Sequence, residues 1–325
     1  MNVTFKILLC LLAPFCPGRL WLGATPLRVA QLVAPGEGGE RGYPHALSSL
    51  LESVATTTGA PLEPSPLLVE SLQDPRLFQC PLLYVNWDDR EDWERLPEGE
   101  VKALQGFLEG GGFLWLDAGI AAEFLRKAAG NAAQHHSYGE WQVAPAVQKF
   151  MERVLPRASF QPIPREDPLF RPFYQGLPDT SLLPPTVQRY IAEEKWPGGT
   201  YSVMGIRLEG RLAVIATPIL AMGWGRNSLG AWTTDIQLRT LEGGDTLGEI
   251  LPQAAVLGPA FAARREDGTL DQIYCQQNAR PAWLREPTGQ WRLFRYHDSR
   301  QISDFTHLFY SRLGINFILA ALLGE

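Results

Sequence analysis

The turn after the fourth predicted strand is the place in this sequence where a reactive side chain would be expected. It reads Leu116-Asp117-Ala118-Gly119 and ends the apolar run 113–116. Enzymes built on parallel sheets often place serine or cysteine in such a turn, because the sharp corner exposes the nucleophile beside backbone N–H donors. Alanine and glycine cannot attack a carbonyl. Asp117 is therefore the candidate catalytic residue of this turn.

A second group of candidate residues follows the third predicted strand. The stretch 86–94 carries five carboxylates in nine residues, Asp88, Asp89, Glu91, Asp92 and Glu94. Crowded carboxylates can coordinate a hard cation such as calcium, or raise one another's pKa for acid–base catalysis. The spacing matches no known ligand loop, and a solvated acidic loop explains it as well. A hydrolase interpretation needs Asp117 and either Asp88 or Asp89 to converge in one concave pocket.

Aromatic residues near these turns indicate a possible ligand surface. Trp87 and Trp93 flank the acidic carboxylates, and Trp224 lies in the segment Gly223-Trp224-Gly225-Arg226. Tryptophan faces can hold a sugar or a peptide, although packing in the core is the ordinary role of this side chain. The candidate ligand-binding residues are Trp87, Asp88, Asp89, Asp117 and Trp224.

Two further motifs favour neither a cofactor nor a metal ion. The loop 36–42 is rich in glycine, but its last glycine comes one position late for a dinucleotide fingerprint. Glu37 and Glu40 in this loop would also repel a phosphate. His135 and His136 are adjacent, and adjacent residues of a helix or strand do not face one metal. We expect no cofactor and no metal.

The elements that must position these residues alternate between short apolar runs and amphipathic stretches. Apolar runs predict strands at 27–33, 67–69, 81–86 and 113–116. Helical spacing of apolar residues predicts helices at 44–55, 97–109 and 121–129. Such alternation is typical of a parallel sheet flanked by helices, and the continuous apolar runs suit strands covered on both faces.

The carboxyl-terminal half is less regular. A helix is predicted at 145–155, a proline-rich passage at 156–199, a hairpin at 201–208 and 211–216, and a closing helix at 305–323. Mixed charge with little periodicity at 258–290 predicts a surface insertion. The closing helix contains His307 and Arg312, which leaves too short an apolar stretch for a membrane span. We expect residues 25–325 to form one α/β domain without a transmembrane helix.

Composition and charge restrict the class of protein. The chain has 325 residues, of which 45% are hydrophobic and 20% charged. These fractions are near the globular average, which excludes an intrinsically disordered chain. Lys and Arg number 29 against 35 Asp and Glu, giving a net charge of -6 without a long basic run. A nucleic-acid partner is therefore disfavoured.

The first 24 residues have the layout of a secretory signal peptide. Lys6 precedes the apolar stretch 7–15, and a second apolar patch leads to Ala24. Pro14 and Pro17 interrupt this segment, so it cannot supply the roughly 20 apolar residues of a spanning helix. We expect cleavage near Ala24 and a periplasmic or secreted mature chain.

Two cysteines remain after the expected cleavage, Cys80 and Cys275. An oxidising compartment would permit a disulfide between them. Sequence separation does not determine whether the two residues meet the distance that a disulfide needs. Two buried thiols are the simpler alternative.

Several segments in a fixed order resemble a bacterial family of uncharacterised proteins, domain of unknown function 4159. They are Val29-Ala30-Gln31-Leu32, Asp74-Pro75-Arg76-Leu77-Phe78, Pro81-Leu82-Leu83-Tyr84-Val85, Gly110-Gly111-Gly112-Phe113-Leu114-Trp115-Leu116-Asp117, Asp167-Pro168-Leu169-Phe170, Gly210-Arg211-Leu212-Ala213-Val214-Ile215 and Leu313-Gly314-Ile315-Asn316. The resemblance implies a flavodoxin-like, doubly wound, mostly parallel sheet, similar to class I glutamine amidotransferase-like domains. The chain departs from this family at Ala118, where a second acidic residue is usual, and at Asp167, where a histidine is usual.

We therefore expect a non-catalytic binding or assembly module of the bacterial cell envelope. Its partner would be an unknown envelope protein or a small ligand. The alternative is a hydrolase-like enzyme that uses Asp117 with Asp88 or Asp89.

Overall fold

The computed structural model describes two β-sheets and the helices that accompany them. The described residues are 26–36, 43, 45–90, 92–120, 143–175, 180–185, 188, 203–225, 231–232, 237–242, 260–264, 270–275, 282–285, 291–298 and 300–324. Several predicted features lie outside them: the signal-like residues 1–24, most of the glycine-rich loop, the helix at 121–129, and His135 with His136.

The larger sheet has seven strands. They are β1 (Val29–Leu32), β2 (Leu67–Val69), β3 (Leu82–Asn86), β4 (Phe113–Asp117), β5 (Gln161–Pro162), β6 (Met204–Leu208) and β7 (Arg211–Ala216). Their spatial order is β2-β1-β3-β4-β7-β6-β5. The pairings among β2, β1, β3, β4 and β7 are parallel, and those of β6 with β7 and of β5 with β6 are antiparallel. When the five parallel strands are numbered among themselves in chain order, so that β7 is the fifth, their spatial order is 2-1-3-4-5, which is the flavodoxin-like order.

Helices cover both faces of this sheet. They are α1 (Ala46–Thr58), α2 (Glu98–Glu109), α3 (Pro145–Val154) and α4 (Arg300–Leu323). In the sheet, β2 lies on one side of β1, whereas β4 lies on the other side of β3. Crossovers between parallel strands are right-handed, so these opposite directions place α1 and α2 on opposite faces of the sheet. Helix α4 packs beside α1, and α3 packs beside α2. The predicted doubly wound α/β fold is confirmed.

Helix α1 shows how the sequence pattern builds these layers. Its apolar residues recur at helical spacing, and Leu47, Leu50, Leu51 and Val54 are all buried. Helix α4 crosses α1 at Gly314, where a Cβ atom would lie 2.7 Å from Leu50 Cδ2. The two helices can approach this closely only because residue 314 has no side chain.

The connection from β2 to β3 is shorter than in a regular doubly wound sheet. It contains a single 3-10 turn, Leu77–Gln79, where such sheets usually carry a helix. Pro75 and Pro81 flank the turn, and proline cannot continue a helix through its interior.

The free edge of β5 is protected against pairing with another strand. Ile163 N donates to Val203 O at 2.8 Å, so residue 163 bonds inward and residues 162 and 164 face outward. Both outward positions are proline, which has no backbone N–H. Proline at such positions is a common way to prevent edge-to-edge association.

The second sheet is antiparallel and lies later in the chain. Its strands are β8 (Gln237–Glu242), β9 (Ala260–Arg264), β10 (Leu270–Cys275), β11 (Ala282–Arg285) and β12 (Trp291–Asp298), in the order β8-β12-β11-β10-β9. The predicted insertion 258–290 therefore supplies β9, β10 and β11, and is more regular than its sequence pattern indicates. Strands of four to six residues with interspersed charges give too few periods for a clear signal.

Helix α4 begins at Arg300, five residues before its predicted start. Within it, Ser303–Leu323 is long and apolar enough to cross a membrane by length and composition, more so than the sequence pattern indicates. Of the most apolar 18-residue window of this stretch, 78% is buried inside the protein, where the helix completes the layer beside α1. Its position in the core accounts for its apolar composition.

Cys80 is a free and buried thiol. Its Sγ lies 3.7 Å from Arg76 O, and burial raises the pKa of the thiol above its usual value. A disulfide from Cys80 to Cys275 is therefore not formed in this structure. The side chain of Cys275, in β10, lies outside the description.

Candidate functional site

The candidate site is the corner formed by Asp117, Ala118 and Gly119 at the end of β4. Asp117 is paired in register with Asn86, the last residue of β3, so the corner lies at the carboxyl edge of the parallel strands. Open α/β sheets bind their ligands at this edge. Asp117 shares a face of the sheet with Trp115, because side chains alternate along a strand. Helix α4 covers that face, since the Phe317 ring lies edge-on to the Trp115 ring at 5.2 Å.

The Asp117 carboxylate is fully buried and accepts four hydrogen bonds. The Tyr84 hydroxyl donates to Oδ2 and the Thr217 hydroxyl to Oδ1, each at 2.9 Å. The backbone N–H of Leu220 donates to Oδ1 at 2.7 Å, and that of Ala221 to Oδ2 at 2.9 Å. Each carboxylate oxygen thus has one hydroxyl donor and one amide donor. Through these hydrogen bonds, Asp117 connects the segment after β7 with strands β3 and β4.

The hydrogen-bond network continues one step further into the core. Trp115 Nε1 donates to Thr217 Oγ1 at 3.0 Å, while that hydroxyl donates to Asp117. The indole, the hydroxyl and the carboxylate form one chain of hydrogen bonds. A buried network in which each of these groups is paired makes the local structure rigid.

Burial raises the pKa of Asp117 from 3.8 to about 6. Desolvation of the charged form is the largest cause, and the four donated hydrogen bonds oppose it by stabilising the anion. The carboxyl group is therefore ionised at neutral pH and becomes protonated in mildly acidic solution.

The backbone after Asp117 makes a sharp turn. Ala118 has a φ of 59°, in the left-handed region that residues with a side chain seldom adopt. A Cβ atom on Gly119 would lie 2.9 Å from Leu116 O and 3.1 Å from Ala216 Cβ. Gly119 O also accepts a hydrogen bond from Ala144 N at 2.8 Å, which closes the corner from outside. The corner thus holds an enclosed carboxylate, a buried methyl group and a glycine without space for a side chain.

The acidic segment after β3 is solvated only in part, since Glu94 is exposed and Asp92 is half-buried, whereas Asp89 is enclosed by the protein. Residues Trp87–Asp89 form a 3-10 turn, and Asp89 is only 2% exposed. The buried Arg90 pairs with Asp92 and donates to Glu70 O at 3.3 Å. Asp89 and Asp117 follow neighbouring strands, but each is enclosed by protein. The side chain of Asp88 lies outside the description.

Metal binding finds no support in the part of the chain that the structure describes. Within it, no three His, Cys, Asp or Glu side chains form a group that could hold an ion.

The three tryptophans considered as ligand contacts are packed in the core. Trp87 and Trp93 stack with ring centroids 4.2 Å apart, and both rings contact Phe150 of α3. Trp224 is 1% exposed and donates from Nε1 to Tyr310 O at 3.0 Å. The Trp224 ring also packs against Trp115 at the candidate corner. The structure therefore assigns these rings the packing role that the sequence left open.

The residues that hold the segment after β7 were not among the predicted site residues. Thr217 directly follows the apolar run of β7, as Asp117 ends that of β4, and this position was the available signal. From the other side, His307 Nδ1 lies 3.0 Å from Gly223 O, and its ring stacks on Trp232. The segment is thus held by the sheet on one side and by α4 on the other.

The second departure from the family pattern, Asp167, also has a structural role. Its Oδ1 accepts from Leu169 N at 3.0 Å, which caps the 3-10 turn Pro168–Phe170. Its Oδ2 accepts from Arg207 Nη2 at 2.6 Å. Asp167 therefore joins this turn to β6 and lies away from the Asp117 corner.

An open cleft of about 730 Å³ lies at the opposite edge of the sheet. It is bordered by the end of α2, residues 155–164 and the turn between β6 and β7. Glu109, Arg157, Arg207 and Glu209 stand among its lining residues, and none of the predicted ligand-binding residues does. Its position at the amino ends of β4 and β7 separates it from the candidate corner.

These observations define a flavodoxin-like α/β protein whose strand-end corner carries a structural carboxylate. The family model described as domain of unknown function (DUF4159) matches residues 28–239, and the chain belongs to this family. A comparison with curated proteins gives no significant match.

Proposed function

We propose that this protein is an exported, non-catalytic binding or assembly module of the bacterial cell envelope. The observation that carries the proposal is the engagement of Asp117. Both of its oxygens are occupied by hydrogen bonds from the protein, and the side chain has no exposed surface. A general acid or base must reach the proton that it transfers, either directly or through one water.

The geometry of the corner supports the same conclusion. A nucleophile turn presents its reactive group to the substrate, whereas Ala118 is buried and Gly119 has no room for a side chain. The corner has a sharp backbone turn and no nucleophilic side chain. The relation to class I glutamine amidotransferase-like domains stays a prediction from the sequence resemblance.

Export is supported by the signal-like first 24 residues. We expect the full-length protein, expressed with a carboxyl-terminal tag in a bacterium, to be released into the periplasmic fraction and to begin near residue 25. Retention of residues 1–24 in a cytosolic product would contradict export.

The catalytic part of the proposal is tested by screening the purified mature chain against hydrolase and amidase substrates. We expect no turnover above that of a buffer control. Turnover with a pH profile that changes near 6, and that is lost in a folded Asp117→Asn variant, would contradict the proposal. That result would favour the hydrolase alternative with Asp117 and Asp88 or Asp89.

The binding part is tested by isolating the tagged mature chain from envelope extracts. We expect a defined partner to co-purify reproducibly. Tagged chain unfolded by Asp117→Ala, with the loss of the folded state verified by circular dichroism, serves as a control for capture by misfolded protein. Identical sets of captured proteins in both samples would contradict specific binding.

A further inference from the structure

The open cleft of about 730 Å³ at the amino ends of β4 and β7 has the size of a small-ligand site. Its floor is apolar, because Leu155 and Ile163 line it and are buried. Gly205 allows Ile163 to pack closely, since a Cβ atom on residue 205 would lie 2.5 Å from Ile163 Cδ1. The cleft therefore has a closely packed apolar floor.

Three charged side chains of the cleft have no ion-pair partner among the described residues. They are Glu109, Glu209 and Arg157, and all three are exposed. The fourth charged residue of the lining, Arg207, is already engaged, because its Nη2 lies 2.6 Å from Asp167 Oδ2. The cleft thus offers two acidic groups and one basic group to a ligand.

The two acidic groups lie on one side of the cleft. Arg211, which does not line the cleft, donates to Leu108 O at 2.7 Å, so the end of α2 lies beside the turn between β6 and β7. Glu109 directly follows Leu108, and Glu209 is in that turn. Arg157 stands on another border, the segment after α3. A ligand therefore meets negative charge at one border of the cleft and positive charge at another.

The backbone that borders the cleft favours a short peptide as the ligand. Pro156, Pro162 and Pro164 line the cleft and have no backbone N–H. Pro162 faces outward from β5, so its carbonyl oxygen points along the free edge and can accept one N–H from a ligand. A complete strand cannot pair with this edge, because the edge lacks donors at residues 162 and 164. One N–H of a short peptide does not need those donors.

We propose that this cleft binds a short peptide with free ends. Glu109 and Glu209 hold its amino terminus, Arg157 holds its terminal carboxylate with two parallel hydrogen bonds, and the apolar floor holds the side chains between them. The cleft lies away from the Asp117 corner. The inference adds a ligand class to the proposed binding module and rests on that proposal.

The test is calorimetric titration of the mature chain with tetra-alanine in four forms: free, acetylated at the amino end, amidated at the carboxyl end, and blocked at both ends. We expect the free form to bind most tightly, each single block to weaken binding about fivefold, and both blocks together to weaken it further. Free alanine should bind about tenfold more weakly than free tetra-alanine, because its two charges share one carbon atom. Binding that ignores the blocks, equal binding of alanine, or no binding of the free form would each overturn the proposal.

The double variant Glu109→Gln, Glu209→Gln assigns the amino end of the peptide. It should bind the free and the acetylated forms equally and should still prefer the free form over the amidated one. The double variant Glu152→Gln, Glu166→Gln is the control, because it removes the same charge from exposed residues outside the cleft. Glu152 is matched to Glu109, since each accepts a hydrogen bond from a glutamine four residues earlier. The control should bind all four forms as the wild-type protein does.

The variant Arg157→Gln assigns the carboxyl end. It should bind the free and the amidated forms equally and should keep its preference for the free over the acetylated form. Arg171→Gln is its control, because Arg171 is exposed and lies outside the cleft. The absence of this crossed pattern, or equal losses in the controls, in chains with unchanged melting temperature, would overturn the assignment. Failure of these titrations together with reproducible co-purification of a partner would refute the cleft site and leave the binding module standing.

Discussion

The substitution Asp117→Asn tests whether the buried carboxylate makes stability depend on pH. The pKa of Asp117 is about 6 in the folded chain, whereas the ordinary value, which we take for the unfolded chain, is 3.8. The folded state therefore binds the proton more tightly than the unfolded state. The stability contributed by this difference is complete below pH 3.8 and is lost as the pH rises through 6.

The two pKa values correspond to about 3 kcal/mol of free energy of unfolding. Between pH 4 and pH 7 the wild-type protein should lose about this amount relative to the Asn variant. The Asn variant should also lose free energy of unfolding at every pH, because its Nδ2 would face the backbone N–H of Leu220 or Ala221, and that N–H would have no acceptor. That cost is about 1–3 kcal/mol and does not vary with pH.

The measurement is urea denaturation of both proteins at several values between pH 4 and pH 7. Asp74→Asn is the control, because the hydrogen bond from Arg76 lowers the pKa of Asp74 and moves its titration below this range. The control should follow the wild-type curve. Parallel curves for wild type and Asp117→Asn would refute the reasoning, since they would mean that burial does not change the proton affinity of Asp117.

Substitutions at Gly314, Asn316 and Asp167 test other contacts of the α/β domain by urea or thermal denaturation. Gly314→Ala should destabilise the fold by about 1–3 kcal/mol, because its Cβ would meet the Leu50 side chain at 2.7 Å. Adding Leu50→Ala should then cost less than it does alone, and strict additivity would contradict the contact. Asn316→Asp should lower the free energy of unfolding by about 2–4 kcal/mol, because a carboxylate oxygen would replace the amide nitrogen that donates to two backbone carbonyls. An unchanged melting temperature would contradict this expectation. Asp167→Asn should lower the free energy of unfolding by about 1 kcal/mol, because it removes the ion pair with the partly exposed Arg207. Asp167→Ala should lower it by about 1 kcal/mol more, because it also removes the cap of the 3-10 turn. Equal losses in the two variants would exclude a capping role.

The extent of the family match clarifies how the chain is organised. The match ends at residue 239, inside β8, whereas α4 at residues 300–323 packs beside α1 in the α/β layers. The α/β domain is therefore completed by a helix from beyond the matched range. Strands β9 to β12 lie between these two parts along the chain.

The sequence predicted most of the elements of the larger sheet because their signals are local. Strand β2 has its predicted bounds, and β3, β4 and α2 differ from prediction by one residue at one end. Apolar runs, helical spacing, and glycine or proline at element ends are properties of neighbouring residues, so they can be read directly. The strands of the second sheet were missed although β9, β10 and β11 each pair with the next strand in sequence, because short runs with interspersed charges give too few periods for a clear signal.

The sequence by itself determined that the turn after β4 holds an acid, an alanine and a glycine. It did not determine whether the acid is a reagent or a structural group. That depends on Tyr84, Thr217 and the amides of Leu220 and Ala221, which lie from 33 to 104 residues away along the chain. Burial and hydrogen-bond partners are set by which distant segments meet, and only the tertiary structure brings these donors around Asp117. The physical reason is that desolvation and donated hydrogen bonds, not residue type, fix the charge and the accessibility of a carboxylate.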